Sequence, residues 1–277
     1  MNSKVINVTP KMAEIWLEQN VHNNRPVRDA EVTKFARDMV AGNWKVTHQG
    51  IAFNEDGKLI DGQHRLWAVV QSGCTVPMLV WEGLPEEALH LIDSGLARTA
   101  SDSLGFLTDD HAYTNPKVIA AFRHILKTSL NFPQKYKFTA TELYDYMRKY
   151  DNIVHAIYWL VCHDHAFVAS AGYFSGLMFA VANDEPLEAV KAFDTMVVKG
   201  TATPGDYNYQ AGVRFRFWYS GNDRPAGIGK AGPVTEYTTR CIYCFIHNKQ
   251  STKFSRYGMT AEKLQHLEEI FKDRRWA

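Results

Sequence analysis

Leu59-Ile60-Asp61-Gly62-Gln63-His64-Arg65-Leu66-Trp67-Ala68-Val69-Val70 changes its period in the middle. Leu59 and Ile60 read as the end of a strand, whereas Leu66, Val69 and Val70 recur at helical spacing, and Ser72-Gly73 closes the helix. Gly62 sits at the break. In a strand–turn–helix unit the unpaired backbone N–H groups of the helix's first turn point into the crevice at the strand end, which is an anion site. Gly62 lets the backbone approach a phosphate, and His64 and Arg65 can add donors and positive charge. Asp61 can hold a metal ion or take a proton from an attacking hydroxyl. The plainer alternative makes Asp61-Gly62 a turn and helix cap, with Arg65 in a surface ion pair.

Upstream of this unit, Val5-Ile6-Asn7-Val8 reads as a strand and Thr9-Pro10 as a helix start. Val32, Phe35, Ala36, Met39 and Val40 then fall on one helix face, stopped by Gly42. Ile51-Ala52-Phe53 pairs with Leu59-Ile60 across Asn54-Glu55-Asp56-Gly57, whose Asp-Gly step suits a hairpin. Downstream, Val76 to Trp81 reads as a buried strand with Pro77 near its start or on an edge. A helix follows from Leu84, then a turn at Ser94-Gly95 and a short helix from Thr99. From about Pro116 to Gly200 the pattern is helical throughout, with segments at 119–130, 139–150, 153–161, 173–182 and 186–198. Gly221 to Pro233 reads as an exposed loop, and the tail after Met259 as an amphipathic helix. The expectation is an α+β chain: a small mixed sheet with packed helices over residues 1–107, then an all-α domain over 108–277.

The chain has 277 residues, 45% of them hydrophobic, enough for one large or two ordinary cores. Its 31 Lys+Arg against 30 Asp+Glu give a formal charge of +1, so no global field draws it to nucleic acid or to an acidic membrane. Neither a leader nor an apolar run of roughly 18 residues is present, so the reading is cytoplasmic and without a membrane partner. Nothing in the sequence asks for an obligate protein partner. Cys74, Cys162, Cys241 and Cys244 read as reduced thiols.

Gly62-Gln63-His64-Arg65 resembles the Gly-x-His-Arg box of the ParB/sulfiredoxin superfamily, at the start of a helix as in that family. Asn24-Arg25-Pro26 is similar to the short segment before the family's first large helix, and Gly42 to Phe53 to its Gly-x-x-x-Pro-Ile/Val element. Together these span about residues 1 to 105. With Asp93-Ser94-Gly95, Arg98-Thr99-Ala100 and a helical second domain, the layout looks like the phage and actinobacterial ParB-like branch. The resemblance implies binding of ATP or CTP, with Mg²⁺, and in some members transfer of the γ-phosphate. One phage branch phosphorylates 5-hydroxymethyluracil in DNA; for a phage protein the compartment would be the bacterial host's cytoplasm. Two features depart from the family. Gln63 stands where sulfiredoxin has its cysteine, and no helix-turn-helix reader or dimerising tail is evident after Thr108.

On this resemblance the chain is an ATP-dependent kinase acting on a hydroxymethylated pyrimidine in DNA; the alternative is a nucleotide-gated DNA-binding module without phosphotransfer. Asp61 is then the base. His64 and Arg65 hold phosphates within the Gly62–Arg65 box, and Arg25 reaches the γ-phosphate. Asn23, Gln49, Arg98 and Thr99 complete the surroundings. Asn23 as a turn residue, Gln49 as a solvent-facing strand residue and Thr99 as a helix cap with Asp102 are equally open. Arg214, Arg216, Trp218, Lys249 and Lys253 interleave charge with aromatic surface, as a bound strand requires, or else form a buried helix face with outward arginines. Cys241-x-x-Cys244 with His247 supplies at most three local ligands, so no structural zinc is expected. Trp16, Trp44, Trp67 and Trp81 read first as core anchors, and Trp67 could also line a base pocket.

Overall fold

The computed structural model describes residues 1–21, 26–85, 99–163, 170–200, 208–220, 231–248 and 257–272. It contains two compact units, Met1–Ala97 with Lys135–Glu142, and Arg98–Gln134 with Leu143–Ala277. The described stretch 99–107 thus packs with the second unit, and 135–142 returns to the first.

In the first unit, β1 (Asn2–Val8) runs into α1 (Pro10–Glu18), followed by α2 (Asp29–Val40), β2 (Ile51–Asn54), β3 (Leu59–Asp61), α3 (Gln63–Ser72) and β4 (Val76–Leu84). Thr9 caps α1 by accepting the Met12 N–H at 3.2 Å, with Pro10 at the first helical position where no N–H is needed. Gly42 ends the α2 segment at φ +73°. Between β2 and β3 the Asn54 side chain accepts the N–H groups of Asp56 and Lys58, so the hairpin expected from the Asp-Gly step forms.

The sheet has strand order β1-β4-β2-β3 and is mixed: β1 is antiparallel to β4, β2 parallel to β4 and antiparallel to β3. Pro77 lies second in β4, opposite Asn7, ahead of the stretch where β2 joins at Val80. Residues along β4 alternate. Val76, Met78 and Val80 are buried and join Ile51, Phe53, Leu59, Leu66, Val69, Val32 and Ala36 in one core, while Trp81 on the other face is partly open. Each large aliphatic side chain fully buried there contributes roughly 1.5–3 kcal/mol. Trp16 meets Phe53 edge-on at 5.3 Å, and Trp44 donates to the Pro77 carbonyl at 3.0 Å, so both anchor the core. Trp67 does not: it is 42% exposed, because the core side of α3 is taken by Leu66 and Val69.

Residues Lys135–Glu142 add a clasp to the first unit. The Arg37 guanidinium lies over the Tyr136 ring at 4.1 Å and donates to both Glu142 oxygens, at 2.8 and 3.1 Å. Glu142 also accepts the Thr139 N–H at 2.8 Å while Thr139 Oγ1 accepts the Glu142 N–H, a capping box that starts α7 (Ala140–Lys149).

The second unit is helical among its described residues: α4 (Ala100–Leu104), α5 (His111–Thr114), α6 (Pro116–Ser129), α8 (Asp151–Cys162), α9 (Ala171–Ala182), α10 (Leu187–Lys199), α11 (Tyr209–Ser220), α12 (Ala231–Ile246) and α13 (Ala261–Ile270), besides the end of α7. Every residue of α9 from Gly172 on is buried, and α6, α10, α12 and α13 pack against it. Of the loop expected from Gly221 to Pro233, positions 221–230 lie outside the described residues, and Ala231 to Pro233 belong to α12. A proline in the first helical turn costs no hydrogen bond there. The helix expected from Leu84 falls mostly outside the described residues, and β4 runs through Leu84 itself. None of the described helices is long and apolar enough to cross a membrane.

Burial opposes ionisation of Glu142, but the Arg37 guanidinium, the Thr139 N–H and the Tyr136 hydroxyl outweigh it and hold its carboxyl below the ordinary glutamate value. A depressed folded pKa stabilises the fold above the ordinary value and loses that stabilisation as pH falls through the folded one. Denaturant midpoints measured from pH 7 down through the carboxylate range should therefore fall less steeply in Glu142→Gln than in the natural chain. Parallel curves would remove the clasp from the stability account.

Candidate functional site

Two glycines shape the ground around Asp61. At Gly50 a Cβ would lie 1.8 Å from the Leu79 carbonyl oxygen, so the chain entering β2 can press against β4 only without a side chain. At Gly62 the backbone is left-handed, φ +99°, and a Cβ would lie 2.5 Å from Ile51 Cδ1. Gly62 thus turns β3 into α3 directly against the start of β2. Its N–H donates to Asp61 Oδ1 at 2.6 Å, and no side chain caps α3.

The box residues that follow turn inward. Gln63, 3% exposed, accepts from Asn20 Nδ2 at 3.1 Å and so ties α3 to the segment that pairs with Leu59. His64 is buried, and its Nε2 accepts the Arg28 N–H at 3.1 Å. An accepting Nε2 puts the ring proton on Nδ1. Arg65 donates to the Gly50 carbonyl at 3.0 Å and to Gln49 Oε1 at 3.2 Å, with Asp61 Oδ2 at 3.8 Å. Its guanidinium fastens the Gln49-Gly50 segment to the turn. Gln49 is thus solvent-exposed, as the plainer reading expected, though it lies before β2 rather than in a strand and its side chain is tied to the box by Arg65.

Asp61 itself borders a cleft of about 430 Å³ lined by Met1, His48, Gln49, Gly50, Ala52, Trp81 and Leu84. Asp61 and Trp81 both pair in register with Ala52, so the three lie in one row across the sheet. The carboxylate and the indole therefore flank Ala52, whose methyl leaves the space between them open.

Of the residues lining this cleft, the sequence names Asp61 and Gln49 as candidates, gives no sign of His48, and reads Trp81 as a core anchor. The signal for Trp81 was present in the alternation of β4, where odd positions face away from Val76, Met78 and Val80. No pattern marked His48. Trp67 is not among the lining residues.

Asn23, Arg25, Arg98, Lys249 and Lys253 are outside the described residues. Thr99 is the cap of α4: its hydroxyl accepts the Asp102 N–H at 3.2 Å, while Asp102 accepts the Thr99 N–H. On α11, Phe215 is fully buried, Trp218 stacks on Tyr237 at 4.1 Å, and Arg216 donates to the carbonyls of Val197 and Val198 at the end of α10. Arg214 is exposed. Burial pushes the Cys241 thiol up to about 12, as suits a core cysteine, and His247 pairs with Glu185 at 2.9 Å. Among the described residues no three His, Cys, Asp or Glu side chains stand together as a metal site. No protein family, curated protein or solved structure matches this chain.

The His64 tautomer is directly measurable. In long-range ¹H–¹⁵N spectra, with His64 assigned by loss of its signals in His64→Gln, Nε2 should show the shift of an unprotonated nitrogen and Nδ1 that of a protonated one. The reverse pattern would break the Arg28 contact from the account.

Proposed function

We propose that the first unit is a nucleotide-dependent phosphotransferase of the ParB/sulfiredoxin kind, with Asp61 as the group that takes the acceptor's proton. The observation that carries this reading is the row Trp81, Ala52, Asp61 along one cleft at the start of α3. Two strand spacings, about 10 Å, separate the outer members of that row, so a base stacked on Trp81 can bring a short substituent toward Asp61. A volume of about 430 Å³ lies in the range of small-ligand sites.

The chemistry follows from these groups. A hydroxyl hydrogen-bonded to Asp61 passes its proton to the carboxylate as its oxygen bonds to the γ-phosphorus. The bond from that phosphorus to the bridging oxygen breaks, and the nucleoside diphosphate leaves with the electron pair. Asp61 is the carboxylate among the cleft's lining residues, so Mg²⁺ would be held by it together with nucleotide phosphates, and would neutralise phosphate charge. The Arg65 guanidinium lies behind the turn, where it lends positive potential and fixes Gln49 and Gly50. Of the known acceptor classes in the resembling family, 5-hydroxymethyluracil in DNA fits a site that joins an aromatic platform to a base. The exposed Arg214 and Phe217 of the second unit are then groups available to a DNA strand.

Incubation with γ-labelled ATP, Mg²⁺ and two duplexes, one with thymine and one with 5-hydroxymethyluracil, tests this. Label should appear only on the hydroxymethylated DNA, and Asp61→Asn should lower transfer at least about 100-fold with nucleotide binding kept. No label on either duplex, in protein that binds nucleotide, would replace the kinase with a nucleotide-gated DNA-binding module. Ala52→Leu, which fills the space between Trp81 and Asp61, should lower transfer to the hydroxymethylated duplex; unchanged transfer would move the acceptor site elsewhere.

A further inference from the structure

Helix α6 presents Ala120, Arg123, His124 and Lys127 at i, i+3, i+4 and i+7, one continuous stripe of its surface. Ala120 is exposed, while the three nitrogen-bearing residues around it are half-buried. Arg123 Nε is fully buried and has no hydrogen-bond partner. Lys127 Nζ donates to the Gln134 carbonyl at 2.9 Å, and the His124 ring lies parallel to Phe179 at 6.2 Å, which holds both in place.

The electrostatics of the stripe are one-sided. Among the described residues no carboxylate pairs with Arg123, His124 or Lys127; burial lowers the pKa of each, and Lys127 further disfavours charge on His124, as Arg123 does on Lys127. Two half-buried cations of the first unit have a carboxylate beside them: Arg37 has Glu142, and Arg65 has Asp61 together with two carbonyl-type acceptors. The buried, unsatisfied Arg123 Nε costs the fold free energy and is sealed from any ligand at the surface, so the guanidinium's terminal nitrogens are the donors that can meet one.

We propose that the Arg123–His124–Lys127 stripe is a binding site for a phosphate oxyanion, seated over Ala120. Phosphate oxygens match guanidinium donors in geometry, Arg123 and Lys127 supply the positive charge, and the His124 ring, whose charged form burial and Lys127 disfavour, contributes a neutral imidazole N–H. Ala120 provides close approach to the helix surface, as a longer side chain at the centre of the stripe would not. The ligand is either a free phosphoanhydride or a phosphate of a nucleic-acid backbone; the chemistry recognised is the same. This site belongs to the second unit, whereas the Asp61 cleft belongs to the first.

Melting temperature is measured with low-millimolar pyrophosphate at constant ionic strength, and binding of a short fluorescein-labelled single-stranded oligonucleotide by anisotropy. The full chain should respond saturably to at least one probe. Arg123→Gln and Lys127→Gln should each weaken the response about tenfold, and Ala120→Glu, which places a carboxylate among the cations at an exposed position, should remove it. The cleft-filled variant Ala52→Leu should keep it, which separates this site from the Asp61 cleft. A response to pyrophosphate assigns the site to free phosphoanhydrides, and a response to the oligonucleotide alone assigns it to backbone phosphates. No response to either probe, or an equal response in a folded Ala120→Glu, overturns the proposal.

Discussion

The Gly50 carbonyl is the point on which the first unit depends. It is held by Arg65 from one side, while the Gly50 α-carbon is pressed against the Leu79 backbone from the other. That double contact fixes where β2 enters the sheet, and so sets the parallel register of β2 on β4. It also brings Ile51 against Gly62, which can turn at φ +99° only because it carries no side chain. Strand order, turn and cleft are consequences of one close approach between two backbone segments.

The same contact explains why the box reads differently in three dimensions from its sequence. Gln63, His64 and Arg65 were expected to face a ligand, yet each has its polar atoms engaged by the first unit's own backbone or side chains. They build the platform, and Asp61 is the member that meets the cleft. Pinning of this kind favours a preorganised site, since groups already fixed need not be ordered when a ligand arrives.

Local signals were legible in the sequence because they depend on neighbours along the chain. The Thr9-Pro10 helix start, the Asn54–Gly57 turn, the Gly62 break and the Thr99 cap all form as their residue types dictate. The alternation of β4 was also legible, but assigning Trp81 to the core ignored which face of the sheet it points to. What stayed hidden depends on partners far away in sequence. The clasp between Arg37 and Glu142 spans 105 positions, and the Arg28 N–H chooses the acceptor nitrogen of His64 from 36 positions away. The Arg123–His124–Lys127 stripe of α6 has a plain helical spacing, yet only its burial, without acidic partners among the described residues, distinguishes it from an ordinary solvated face.

The central claim is that phosphoryl transfer takes place at Asp61, where a nucleotide's terminal phosphate meets the substituent of a base stacked on Trp81. A crystal structure of the full chain with a non-hydrolysable ATP analogue and Mg²⁺ tests it most directly. The account expects the terminal phosphate beside Asp61, with Arg65 still bonded to Gly50. An analogue bound outside the cleft, or an Asp61 carboxylate with neither metal nor phosphate near it, would contradict the account.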